Sequence, residues 1–425
     1  MRSMIRRTEI LLLTLVACSK RTPERMQDAA TPAPTVGSVT SGSPSATSRL
    51  TEERFALDAV RSADSGRDVL PDAGANGCRL AYGPVAQPFV GPAALVVTDQ
   101  TVEIVTHKSG VLRVTYAPAQ PLGGTPVPRK ELDGVAERGS RPPCAVAGPY
   151  AFCSDAKGNV HRALRAQGTD ELYAHADAGA RVAAARIAGT HNITGFLVSR
   201  TTPEGRISEA FAKVDDEAPM RISAEGSGAT DLAFAERGSD VIALLIDARR
   251  AMSPTHARVL SYASDRASKL ALGADEVIYL GGGADRQVFG VLGTATTGSA
   301  YALYPTTADT AFGLAIVRVD LPPKVEEPFA FSAYPNGIDG APIAATHSGK
   351  YVYVARVRPF SAEATSTHVL ELGKIDGAGA FSSFGLVATN GSVVNTAIEV
   401  DRAGAIWVHY TDRAGSWLER RVCPA

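Results

Sequence analysis

Asp231-Leu-Ala-Phe-Ala-Glu-Arg-Gly238 leads into Val241-Ile-Ala-Leu-Leu-Ile246. Two apolar runs on either side of a glycine turn are each too short for a helix of three turns, and glycine supplies the backbone freedom that a tight reversal needs. The unit reads as a pair of strands. It recurs where Ile343-Ala-Ala-Thr-His-Ser-Gly349 precedes Tyr351 to Val357, and again where Ile398-Glu-Val-Asp-Arg-Ala-Gly404 precedes Ile406 to Tyr410. Weaker copies surround Gly158, Gly189 and Gly298, and Ala93 to Val105 makes a comparable hairpin without the glycine.

The copies lie mostly about fifty residues apart, room for four short strands each, which is the size of a propeller blade. The expected class is all-β, a β-propeller of six or seven four-stranded blades over residues 78–425, preceded by a disordered tether. Residues 18–77 carry Thr31-Pro-Ala-Pro-Thr35 and Ser41-Gly-Ser-Pro-Ser45, a composition that cannot bury a core and is expected to be a flexible linker with a reach of some 40 Å.

Residues 1–17 read as a leader. Arg2, Arg6 and Arg7 precede an apolar stretch from Ile10 to Ala17, shorter than the roughly 20 residues a spanning helix requires, and Leu15-Val16-Ala17-Cys18 follows as a lipobox. These residues resemble those of bacterial lipoproteins. The resemblance implies cleavage before Cys18, diacylglycerol and palmitate-type acylation on that cysteine, and, with Ser19 in place of a retaining aspartate, delivery to the outer membrane. Three acyl chains anchor firmly, since each buried methylene contributes about 0.8 kcal/mol. The membrane is thus an expected partner through the lipid.

Four further cysteines would face an oxidising compartment, where pairing is expected and three connectivities are possible. Cys144 and Cys153 flank a short strand-turn-strand and are expected to pair, which leaves Cys78 with Cys423 at the two ends of the body. The alternative leaves Cys78 and Cys423 as buried thiols beside one local bridge. Over most of its length the chain also resembles secreted propellers and propeller lipoproteins: Asp155-Ala-Lys-Gly-Asn-Val160 and Asp401-Arg-Ala-Gly-Ala-Ile-Trp407 look like the Asp-x-x-Gly turns between propeller strands. No WD dipeptide or recurrent tryptophan motif specifies a subfamily.

Lys plus Arg (43) nearly balances Asp plus Glu (44), which argues against nucleic acid as a partner because phosphate binding needs a concentrated basic face. No catalytic, metal or cofactor motif is present, so no catalytic residue, metal ligand or cofactor is assigned. Gly281-Gly-Gly-Ala-Asp-Arg286 lacks a P-loop lysine and reads as a tight loop between strands. Asp155 and Asp401 read as turn residues rather than calcium ligands. Asn192-Ile-Thr194 and Asn390-Gly-Ser392 match a glycosylation pattern that bacterial lipoproteins rarely use.

Loops between second and third strands gather on one face of a propeller. The stretches 200–206, 247–256, 358–368 and 411–417 are assigned to such loops, and each brings arginine near its turn. Arg200, Arg249, Arg250, Arg358 and Arg413 are therefore the candidate binding face, suited to carboxylates or phosphates through bidentate contacts. The expected function is recognition of an envelope protein, peptide or glycan by a monomeric, membrane-anchored propeller. The alternative is an envelope hydrolase or lactonase with acidic or His/Asp side chains converging on the axial channel. A channel lined by Ala, Thr and Ser would oppose it.

Overall fold

Successive side chains of a strand point to opposite faces, so a strand buried on both faces is apolar throughout instead of alternating. Val241 to Ile246 is such a strand. Val241, Ala243 and Leu245 join one apolar cluster, with Leu232, Ile193 and Ala212, whereas Ile242, Leu244 and Ile246 join another, with Ala302 and Val317. Each sheet is therefore sandwiched between two others.

The computed structural model describes most of residues 77–425, leaving out chiefly 88–91, 116–126, 129–143, 248–253, 280–285, 320–329, 336–342 and 360–367. The leader, Cys18 and the linker through residue 76 lie outside the described residues. The described chain forms seven antiparallel sheets in sequential order. Their innermost strands are Ala93–Val97 in blade 1, Cys144–Ala147 in blade 2, Ala183–Ile187 in blade 3 and Ala229–Arg237 in blade 4. Leu292–Thr296, Ile343–Ser348 and Asn395–Val400 follow in blades 5, 6 and 7. Each inner strand touches that of the next blade, and that of blade 7 touches that of blade 1. A closed ring of seven blades is a β-propeller.

Seven apolar clusters correspond to the seven interfaces between adjacent blades. Glycine keeps two of these contacts close. A Cβ at Gly293, on the inner strand of blade 5, would lie 2.7 Å from the Phe234 carbonyl oxygen of blade 4, and one at Gly195 would lie 2.5 Å from Leu232 and Phe234.

Ring closure joins the two ends of the body. Blade 7 takes three strands from the C-terminal end, and its fourth, outermost strand is Arg79–Ala86, paired with Gly415–Val422. The ladder starts with Arg79 opposite Val422, and the Cys78–Cys423 disulfide sits one step beyond it. Trp407 lies between this closure and blade 1, packed with Tyr82, Leu95 and Ile104. Cys144 and Cys153, directly opposed in the first hairpin of blade 2, form the second disulfide.

The glycine repeat matches the inner hairpins of blades 3 to 7, and Ala93 to Val105 that of blade 1. Gly158 is out of phase. It lies between the second and third strands of blade 2, whose inner hairpin turns at Gly148-Pro149 instead. Gly148 has φ of 53°, which supplies the reversal there.

Candidate functional site

Inner strands from all seven blades surround an axial cavity of about 390 Å³. Convergence of seven strands leaves room for small side chains, and Ala93, Ala145, Ala183, Ala233, Ala345 and Ala397 are among those lining it. Three polar side chains join them: Arg181, Thr396 and Glu399. Arg181 donates to the Val291 carbonyl and to Asp231 Oδ2 (3.3 Å), while the Val291 N–H donates to the same oxygen at 2.8 Å. That arrangement clips the starts of blades 3, 4 and 5 together. Glu399 accepts from Thr346 Oγ1 at 2.8 Å and from the Val400 N–H at 3.1 Å. Burial pushes its carboxyl up, against the pull of those two donors.

Glu399 is the one carboxylate among the described lining residues, and no group of three or more His, Cys, Asp or Glu side chains among the described residues is placed to hold a metal ion. Acid catalysis of the glycosidase kind needs a second carboxylate across the reacting bond, and nucleophilic hydrolysis needs a base beside its nucleophile. The lining brings neither to Glu399. Ala is frequent in this wall, whereas Val, Leu and Ile take the place foreseen for Ser.

The four arginine-bearing stretches span the second-to-third-strand turns of blades 3, 4, 6 and 7, but residues 200–202, 205–206, 411–412 and 415–417 belong to the strands, because the ladders of blades 3 and 7 leave only two residues for the turn. Arg249, Arg250 and Arg413 lie outside the described residues, and Arg358 is placed on the strand Tyr351–Pro359 without a described side chain. Arg200 is described and is engaged. Its Nη2 lies 3.0 Å from Glu209 Oε1 and 3.1 Å from Glu225 Oε1. Arg221 reaches the same two carboxylates at 3.7 and 3.6 Å. Glu225 is held below the usual carboxylate range, chiefly by its hydrogen bond from Arg200 and then by the charges of Arg221 and Arg200.

Nearby, Asp177 gathers the second and third strands of blade 3. It accepts from Ser199 N–H (2.7 Å), Ser199 Oγ (2.8 Å), Ser208 Oγ (2.9 Å) and Arg206 (3.2 Å). Burial would raise its carboxyl, but these donors bring it down. Asp177, Arg221 and Glu225 escaped sequence reading because they lie more than twenty residues from Arg200, Asp177 and Glu225 in connections between blades and Arg221 on the outermost strand of blade 3. The signal available was topological: a connection from an outermost strand to the next inner strand shares a face with the second-to-third turns.

Asp155, Asp376 and Asp401 build one turn three times. In each, Oδ1 accepts from the N–H groups two and four residues on, at 2.8 to 3.0 Å. The second oxygen of Asp155 meets Asn159 and His161, and that of Asp401 meets Arg420 at 2.8 Å. The carboxylates thus serve their own turns, and Asp376 is a copy the motif search missed. Asn192 is buried on a strand, with its amide 3.4 Å from Asp215 Oδ1. Residues 281–285 and Asn390 lie outside the described residues.

No protein-family model matches the chain, and no curated protein does. Solved structures match in outline. The N-terminal domain of Nup159 is 9% identical with a TM-score of 0.45, covering 81% of this chain and 95% of that one. The β-propeller domain of Cps50 (Swd1) from Myceliophteria thermophila is 9% identical with a TM-score of 0.45, covering 80% and 98%. The fold assignment stands on the closed ring of inner strands.

Proposed function

We propose that this chain is an outer-membrane-anchored lipoprotein whose propeller presents the second-to-third-strand face for binding protein, peptide or glycan at the cell envelope. The observation that carries the binding part is the ring itself. Its ends are joined both by strand pairing and by the Cys78–Cys423 disulfide, so its loops project from a rigid frame, and rigid loops lose less entropy on binding. Among the described residues, its axial cavity is walled chiefly by Ala, Val and Leu with one carboxylate, Glu399. The anchoring part rests on Leu15-Val16-Ala17-Cys18 and the linker that follows. A tether raises the effective concentration of the face for membrane-bound partners.

The test is capture from native envelopes with the full-length lipidated protein as bait, alongside a hydrolase substrate screen on the body. A reproducible envelope partner with no turnover is expected, and Cys18→Ala should move the protein out of the membrane fraction. Turnover without a partner overturns the binding reading, and membrane retention of the Cys18→Ala protein overturns the anchor.

A further inference from the structure

We propose that Arg200 and Arg221 form a carboxylate-binding pair whose outward positions are held by Glu225 as an internal stand-in, and that the ligand it mimics is an acidic side chain of a peptide or protein. The proposal rests on the binding function above and names the chemistry of one site within it.

The pair is built from below. Arg200 faces Ile207 across the ladder and Arg221 faces Phe211, so Glu209, midway between those two on the third strand, is a diagonal neighbour of both arginines on one face of blade 3. Its side chain is only 4% exposed and also accepts the Gly226 N–H at 2.6 Å. This buried carboxylate accepts a hydrogen bond from Arg200 Nη2 and lies within ion-pair range of Arg221 at 3.7 Å, so it draws both guanidinium groups to one place. Glu225 meets them from the solvent side, with Oε1 accepting from Arg200 at 3.1 Å and Oε2 in ion-pair range of Arg221 at 3.6 Å. This is one carboxylate spanning two arginines, the geometry a bound acidic residue would adopt.

Glu225 is also the member that can leave. Its side chain is 65% exposed, and ion pairs at so exposed a position are weak and screened by solvent. The backbone around it is fixed. Ile222 N–H donates to Ala210 O at 2.8 Å, Arg258 donates to Ile222 O at 2.6 Å, and Gly226 is tied to Glu209. Release is therefore a rotation of one side chain, with no loop opening. The closed cluster of two arginines and two glutamates is neutral; with Glu225 turned away it carries one net positive charge beside a half-exposed surface. A hydrophobic or cationic partner gains nothing from that change, and an anionic one does.

The experiment titrates the soluble body with hexaglutamate peptide by calorimetry, with hexaserine as control. Glu225→Ala is expected to raise hexaglutamate affinity about two- to fivefold, with steeper weakening by salt, and to leave hexaserine unbound. Adding Arg200→Gln or Arg221→Gln to Glu225→Ala should erase the gain. Glutamine keeps an N–H donor for buried Glu209, and either double variant that retains the wild-type unfolding midpoint suffices. No gain in Glu225→Ala, an equal gain for hexaserine, or a gain that survives loss of either arginine overturns the site. An envelope partner captured equally by wild type and by the Arg200→Gln/Arg221→Gln protein upholds the binding function and overturns this site. A peptide gain with no envelope partner upholds the site and overturns the envelope function.

Discussion

Blades 4 and 7 share one strand order and have opposite interiors. The second strand of blade 4 is buried from Val241 to Ile246 and aliphatic throughout, feeding apolar clusters on both sides. The second strand of blade 7 is buried from Ile406 to Asp412, yet only Ile406, Val408 and Tyr410 join the cluster toward blade 6. Its other face carries Trp407, His409 and Thr411, and of these Trp407 joins the cluster toward blade 1. His409 is fully buried there, and Thr411 bonds Ser416 at 2.6 Å. Apolar area alone can hold a blade between two sequential neighbours. The closing blade must also select one register for a strand that arrives from the far end of the chain, and hydrogen-bonded polar groups penalise a slipped register in a way that aliphatic ones do not.

The largest effect should come from opening the closure. A chain-entropy estimate gives on the order of 5 kcal/mol for a bridge spanning 345 residues and about 3 kcal/mol for one spanning 9. Cys78→Ser/Cys423→Ser should therefore lower the denaturant midpoint well below that of Cys144→Ser/Cys153→Ser, whose cysteines already face each other in a hairpin. Equal losses would mean that blade 7 is held by its strand pairing and packing, not by its bridge.

In blade 4 the matching test is Leu244→Ala. Leu244 is 1% exposed and sits in the interface toward blade 5. Truncation should cost about 2 to 5 kcal/mol in equilibrium unfolding, through lost burial and the cavity left behind. A loss near zero would show that the seven interfaces do not unfold together.

The interiors should also differ in acid. Burial brings the His409 imidazole down to about 3, from an ordinary value near 6.5. A folded value below the unfolded one means that this contribution is complete above pH 6.5 and is lost as pH falls toward 3, by up to about 1.4 kcal/mol per unit. Burial pushes the Glu419 carboxyl up, so its contribution has the opposite sign: it is present below about 4.5 and lost as pH rises. The diagnostic is therefore a difference between variants. His409→Gln should flatten the stability profile between pH 6.5 and 4, whereas Leu244→Ala should run parallel to wild type. Parallel profiles for both would remove His409 from the acid response.

How much of this could be read in advance follows from the same contrast. Strands such as Val241 to Ile246 announce themselves because burial on both faces makes them uniformly apolar, and Gly238, Gly349 and Gly404 mark their reversals. The closure was legible through Cys78 and Cys423, since a propeller that closes its ring by pairing its first and last strands brings the two ends of the body together. The phase of blade 2 was not, because Gly148-Pro149 and Gly158 offer equally good turns ten residues apart. The state of Arg200 was not either. Its position near the end of a second strand is a local property, but Glu209 and Glu225 reach it through register and an inter-blade connection, which leave no local pattern.

The smallest effect belongs to the turns that enter these strands. Blade 4 reverses in two residues, Gly238 and Ser239, between the paired Arg237 and Asp240. Blade 7 reverses over Asp401 to Ala405, with Asp401 Oδ1 accepting from Ala403 and Ala405, and with Oδ2 bound to Arg420 on the third strand at 2.8 Å. Both Asp401 and Arg420 side chains are 13% exposed, so this ion pair is less screened than a surface one. Asp376 in blade 6 makes the same two backbone contacts in an exposed turn, for which no ion pair is described. Asp376→Ala should cost about 0.5 to 1 kcal/mol for the lost turn bonds. Asp401→Ala should cost about 1 kcal/mol more, and Asp401→Asn should recover the turn share alone, because an amide oxygen still accepts from the backbone but no longer carries charge for Arg420. Unfolding midpoints of the three variants separate these shares. If Asp401→Ala and Asp376→Ala match, Arg420 contributes nothing at the closure, and the polar face of blade 7 must hold its register through Thr411 and Ser416.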